Sequence, residues 1–112
     1  MKLDDLVNED KIARALHYLA GSDEQCASLK ADVARTEYLA KLQEAFAFKE
    51  VSVGTVEDRK SESKMSPKAQ AAWDAHFTAV AEYEKVRAIR ERAALTIDLF
   101  RTLAANRRVG NV

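Results

Sequence analysis

Residues that interrupt helices are scarce in this sequence. Proline occurs once among 112 residues and glycine three times, and neither occurs between Pro67 and Gly110. Because proline and glycine are the residues least compatible with a helix interior, their absence predicts one continuous helix over residues 67–107. At about 1.5 Å per residue this helix would be roughly 60 Å long, which is about twice the diameter of a small domain. One compact monomer of this size cannot bury it.

Other absences narrow the class of protein. A single cysteine, Cys26, excludes an internal disulfide, and its place on the apolar side of a helix predicts burial as a small hydrophobic residue rather than nucleophilic catalysis. No apolar run has the length of a signal segment or a membrane span, so we expect a cytoplasmic location and no membrane partner. The formal net charge is zero, which removes whole-molecule electrostatic attraction as a guide to partners.

Capping residues divide the first half of the chain into two predicted helices. Asn8 is a favourable N-cap and Gly21 a favourable C-cap, which predicts a short first helix over residues 9–20. Ser22 with Gln25 forms a capping-box pattern and predicts the start of a second helix, residues 23–50. The second helix carries an apolar face at helical spacing, which consists of Cys26, Leu29, Val33, Leu39, Leu42 and Phe46.

The second half begins with a turn that ends at Gly54. Thr55 is a suitable N-cap for a short, polar connector helix over residues 56–64. Ser66 followed by Pro67 is the strongest helix-start signal in the chain, because serine caps well and proline fits the first helical position. The long helix of residues 67–107 is therefore expected to begin there.

Apolar or small residues recur along the long helix at steps of three or four. Their mean spacing of 3.5 residues is typical of left-handed packing between long helices. Leu95, Leu99 and Phe77 are among the residues that widen this stripe, enough for contact with more than one neighbour. The stripe consists of Ala69, Trp73, His76, Val80, Tyr83, Val86, Ile89, Ala93, Ile97, Phe100 and Ala104.

These patterns predict an all-α, single-domain protein. Its fold would be an elongated antiparallel helical hairpin with one long C-terminal helix, a short N-terminal helix and a short connector helix. The second helix is the shorter member of the hairpin, so about 20 Å of the long helix would extend beyond it. That overhang predicts a homo-oligomer, and a different protein as partner is also left open. The predicted interface residues are Trp73, Phe77, Val80, Ile97 and Phe100.

The sequence contains no recognisable catalytic or cofactor motif. There is no glycine-rich phosphate loop and no nucleophile motif. His17 and His76 each lack a Glu or His three or four residues away that would complete a metal pair, so we expect no metal and interpret His76 as an interior or interface residue. The prediction is a protein that is not an enzyme and binds no cofactor.

An arginine-rich flank of the long helix supports an alternative. Residues 57–112 carry a formal net charge of +3 against −3 for residues 1–56, and the excess is concentrated in the second half of the long helix. A phosphate backbone could lie along arginines that share one helix face. The simpler interpretation is a solvated flank paired with acidic residues of the neighbouring helices. The flank consists of Arg87, Arg90, Arg92, Arg101, Arg107 and Arg108.

The end of the long helix resembles a group of small uncharacterised helical proteins of phages and prophages. The similarity lies in an Ala-rich turn, an isoleucine, an aromatic-Arg pair and a double arginine, and it extends more loosely over most of the chain. The residues that carry it are Ala93-Ala94-Leu95, Ile97, Phe100-Arg101, Ala105, Arg107-Arg108, Glu37-Tyr38-Leu39, Gly54-Thr55-Val56-Glu57 and Ser66-Pro67. The chain differs at Phe100, where the group often has Trp, and at Ser61 and Ser63, where Ala would be expected.

The resemblance implies a bacterial host and a gene near recombination or replication functions, without an assigned biochemical role. Together with the residue patterns, it leads to a non-enzymatic helical assembly protein as the first hypothesis. The alternative is an accessory nucleic-acid-binding protein of phage recombination or replication that uses the arginine flank.

Overall fold

The computed structural model describes residues 8–110 of the chain. They form three α-helices, α1 (Glu9–Glu50), α2 (Val56–Lys64) and α3 (Pro67–Gly110), and no strand. The all-α prediction is confirmed, and the helices make up 92% of the described chain. Helix α3 begins at the predicted Pro67 and continues three residues beyond the predicted end.

The break predicted at Gly21 is wrong, because α1 is one helix of 42 residues that continues through Gly21 and Ser22. Ser22 is buried and does not cap a new helix. Its hydroxyl oxygen accepts a hydrogen bond from Arg90, so a contact between helices outweighs the local preference for a break. The predicted overhang of α3 depended on a shorter partner. Because α1 has 42 residues and α3 has 44, that premise is also wrong.

The other predicted helix starts are confirmed by their hydrogen bonds. The Asn8 side chain accepts from the backbone N–H of Lys11 at the start of α1. Thr55 and Asp58 form a reciprocal capping box at the start of α2, with bonds of 3.1 and 3.3 Å. These contacts satisfy backbone groups that have no partner within the helix.

The chain divides into two compact units. The first consists of residues up to Cys26 together with residues from Lys85 onward. Within it α1 and α3 pack antiparallel, since Leu19 lies beside Arg90 whereas the start of α1 lies beside Leu103. Half-buried residues of α3 in this unit include a line at steps of four and three, which consists of Val86, Arg90, Ala93, Ile97, Phe100 and Ala104. Thr96 and Leu103, beside this line, are also half-buried.

The second unit is Ala27–Glu84, and it contains the remainder of α1, all of α2 and the start of α3. Here too α1 and α3 are antiparallel, because Thr36 contacts His76 and the later Glu44 contacts the earlier Trp73. Helix α2 is tied to the end of α1 by Arg59. Its guanidinium donates to the carbonyl oxygens of Val51 and Phe48 at 2.7 and 3.3 Å and lies 4.4 Å from the centre of the Phe48 ring.

Candidate interaction surfaces

Small residues form the buried contacts of both units. Among residues 8–110, the buried side chains are those of three alanines and two serines, and no large side chain is fully buried. Small residues let helix backbones approach closely, but they bury little apolar area. The large apolar side chains are therefore left at the edges of the helix contacts, where they remain partly or largely exposed. The buried residues are Ala15, Ser22, Ala40, Ser63 and Ala69.

The five predicted interface residues differ in exposure. Trp73 and Val80 in the second unit, and Ile97 and Phe100 in the first, are half-buried by contacts within their own units. Only Phe77 is largely exposed, at 61%. Of this predicted set, Phe77 is thus the residue that presents most apolar surface to a further molecule.

Phe77 is presented beside a ring that is held in place. The indole Nε1 of Trp73 donates a 2.6 Å hydrogen bond to the Glu44 carboxylate. The Phe77 ring stacks on Trp73 with centroids 6.1 Å apart, and His76 meets the Trp73 ring edge-on at 5.5 Å. Because the indole is fixed, the neighbouring phenyl ring contacts a rigid apolar support, which lowers the entropy cost of binding a partner there.

The outer side of α3 in the first unit carries a second exposed apolar pair. Leu95 is 60% exposed and Leu99 is 49% exposed. Residues four positions apart lie next to each other on one helix face, so these two leucines form one patch. Both are among the residues predicted to widen the apolar stripe, which agrees with their place outside the half-buried line of Val86 and Ile97.

Helix α1 carries a third exposed group, which belongs to the apolar face predicted for the second helix. Leu39 is 45% exposed and Phe46 is 50% exposed, with half-buried Leu42 between them. The contact with α3 uses Ala40 and Thr36 instead. Periodicity could have separated the two lines, because Leu39, Leu42 and Phe46 are spaced three and four residues apart and form a stripe of their own.

The arginines of the predicted flank do not act as one surface. Arg90 turns toward α1, where it donates to the carbonyl oxygen of Leu19 at 3.0 Å and the Oγ of Ser22 at 2.7 Å and pairs with Asp23 at 2.6 Å. Arg87 pairs with Glu91 at 3.2 Å. Both arginines are therefore paired with acidic residues. Arg90 pairs with a residue of the neighbouring helix α1, as the simpler interpretation predicts, whereas Arg87 pairs with Glu91 of its own helix.

The remaining arginines lie on the outside of the first unit. Arg101 is exposed. Arg107 and Arg108 line a cleft of about 580 Å³ together with Glu9, Phe100 and other residues at the start of α1 and the end of α3. This cleft combines apolar walls with charges of both signs, so its lining does not select an anion.

No group of three or more His, Cys, Asp or Glu side chains in the described part of the chain could hold a metal ion. Cys26 is half-buried beside Leu19, Arg87, Arg90 and Ala94. His76 is half-buried, and its Nδ1 lies 3.1 Å from the Thr36 hydroxyl oxygen.

Comparison of the chain with protein-family models, with curated proteins and with solved structures finds no match. The resemblance to phage and prophage proteins therefore remains a prediction from the sequence. Within residues 8–110, none of the helices has both the length and the apolar character needed to cross a bilayer.

Proposed function

We propose that this protein is a non-enzymatic helical interaction protein, of phage or prophage origin, that self-associates through apolar side chains on the outside of α3. The observation that carries the proposal is the distribution of apolar residues between inside and outside. Alanine and serine occupy the buried positions, whereas Phe77, Leu95 and Leu99 are about half exposed or more. The phage origin is supported only by the sequence resemblance.

Burial of these side chains favours association. Full burial of one leucine or phenylalanine side chain contributes about 1.5–3 kcal/mol relative to exposure. In a symmetric pair of chains each such residue is buried twice, once on each copy. The free energy gained by burying Leu95 and Leu99 on both copies therefore offsets part of the entropy cost of bringing two molecules together.

Molar mass measured by light scattering at increasing concentration tests the proposal. We expect the mass to rise above that of one chain by high micromolar concentration, and Leu95→Gln/Leu99→Gln to weaken the association constant by at least about tenfold. Arg101→Gln is the matched control, since it lies about 200° around α3 from Leu99. A mass of one chain over the whole range, with the helices intact by circular dichroism, would contradict the proposal.

Nucleic-acid binding is the second candidate, and one observation favours it. Arg87, Arg101 and Arg108 are separated by multiples of seven residues and so lie along one side of α3. Over residues 8–26 and 85–110 the formal net charge is +3, whereas over residues 27–84 it is −2. Arg90, a member of the predicted flank, belongs to the contact with α1 and is not part of this line.

Binding of a fluorescent oligonucleotide at several salt concentrations tests this second candidate. Contacts with phosphates give an affinity that falls steeply as salt increases. Arg101→Glu/Arg108→Glu should abolish most of that binding, whereas Lys60→Glu on α2, a reversal of the same sign in the other unit, should leave it unchanged. If no binding is detected at low salt, the candidate is rejected.

A further inference from the structure

The exposed stripe of α1 has a symmetric arrangement of apolar and charged residues. Leu39, Leu42 and Phe46 lie along one side of the helix in the second unit, outside the line of Ala40 that meets α3. Arg35 is one turn before Leu39, and Glu50 is one turn after Phe46. The midpoint between Leu39 and Phe46 is also the midpoint between Arg35 and Glu50. The stripe therefore has an apolar centre, a positive end and a negative end at equal distances.

A surface with this pattern is complementary to itself when one copy is reversed. Antiparallel pairing places Leu39 opposite Phe46 and Arg35 opposite Glu50, and each contact occurs twice about the two-fold axis. Parallel pairing would instead place Arg35 against Arg35 and Glu50 against Glu50, which is repulsive at both ends. Arg35 already pairs with Asp32 at 3.0 Å, but its side chain is 64% exposed and its guanidinium has five donors.

The surroundings of Phe46 leave space for a side chain from outside. Phe46 forms one wall of a cleft of about 460 Å³ that is also lined by Gln43, Glu50 and Lys68. Glu50 lies beside Phe46 in this cleft. In the antiparallel register, Leu39 of the second copy would therefore contact Phe46 at the same place where its Arg35 meets Glu50.

We propose that two copies of this chain pair antiparallel through the α1 stripe, with Leu39 of each copy against Phe46 of the other and Arg35 beside Glu50. This inference rests on the proposed self-association and adds a second surface to that of α3. It also fixes the orientation of the two α1 helices and identifies the partner as a second copy of the same chain.

Disulfide cross-linking tests the orientation directly. In a Cys26→Ser background, Arg35→Cys and Glu50→Cys are made as separate proteins, each with one thiol. On mild oxidation we expect a covalent dimer when the two are mixed and little when either is oxidised alone. Lys30→Cys, which lies about 140° around α1 from Arg35, is the control and should not cross-link with either. Cross-linking of each protein with itself, or none in the mixture, would overturn the pairing.

Charge reversal gives an independent test without thiols. Arg35→Glu and Glu50→Arg should each weaken association by roughly 3- to 30-fold, because two attractive pairs become repulsive. The double variant restores opposite charges and should recover the wild-type association constant, whereas Lys30→Glu should not change it. If the wild-type chain is monomeric, the proposed function and this pairing fail together. If it associates but the charge variants have no effect, only this pairing fails.

Discussion

Arg90 donates a 2.7 Å hydrogen bond to the hydroxyl oxygen of Ser22, although the two residues are 68 positions apart. The same guanidinium also binds the carbonyl oxygen of Leu19 and the carboxylate of Asp23, and the Arg90 side chain is only 24% exposed. One side chain of α3 thus holds a full turn of α1 in the first unit. Ser22 is small enough to let the guanidinium reach the helix backbone beside it.

Removal of this side chain should destabilise the fold. Arg90→Ala leaves the buried Ser22 hydroxyl without its donor, and we expect the free energy of unfolding to fall by about 2 kcal/mol. Arg90→Lys should recover little, since an ammonium cannot make the same divergent set of bonds. Urea unfolding followed by circular dichroism measures both. Arg92→Ala, an exposed neighbour, should change stability by less than about 0.5 kcal/mol, and an equal loss in both variants would contradict the role of Arg90.

Two glycines should respond in opposite directions to the same substitution. Gly21 lies inside α1, has no positive φ, and an added Cβ would meet nothing within 4 Å. Gly21→Ala should therefore raise the free energy of unfolding by about 0.5–1 kcal/mol. Gly54 has φ of 105°, and an added Cβ would lie 3.1 Å from the Cβ of Asp58, so Gly54→Ala should lower it. If Gly21→Ala were destabilising instead, Gly21 would be ending a helix in solution.

The helix starts could be predicted because the responsible bonds are local. Asn8 and Thr55 accept hydrogen bonds from backbone groups three residues further on, so the sequence near each contains the whole cause. Pro67 fits the first helical position because its ring fixes φ and its missing N–H needs no partner there. The continuation of α1 through Gly21 could not be found in that way. The contact that supports this part of the helix comes from Arg90, whose position opposite Ser22 is known only once the helices are packed.

The candidate surfaces were harder to predict than the helices for a related reason. Periodicity shows which residues share a side of a helix, but it does not show which side meets the neighbour. The predicted apolar stripe of α3 includes Ile89, but Ile89 is exposed and its neighbour Arg90 is the half-buried residue there. Leu39 and Phe46 belong to the predicted apolar face of α1, yet both are exposed, and the buried residue of that part of α1 is Ala40. Small residues allow helices to approach more closely.

Arg59 should contribute to the stability of the second unit through the end of α1. Its guanidinium satisfies the carbonyl oxygens of Phe48 and Val51, which lie where the helix leaves backbone acceptors without partners. We expect Arg59→Ala to lower the free energy of unfolding by about 1–2 kcal/mol. Fluorescence of the single tryptophan, Trp73, reports on this unit during denaturation. Lys60→Ala, the adjacent exposed residue, is the control and should unfold like the wild type.

The contact between Thr36 and His76 should fix the tautomer of the imidazole. Thr36 has one hydroxyl proton, and its Oγ1 lies 2.7 Å from the carbonyl oxygen of Asp32, which can only accept. Toward His76 Nδ1, at 3.1 Å, the hydroxyl oxygen is then the acceptor, so Nδ1 of the neutral ring carries the proton. Long-range ¹⁵N–¹H spectra of histidine-labelled protein should show protonated Nδ1 for His76. In Thr36→Val that acceptor is lost, and the Nδ1–H population should fall toward that of His17, which is exposed. A neutral His76 protonated at Nε2 in the wild type would mean that Thr36 donates to the ring instead.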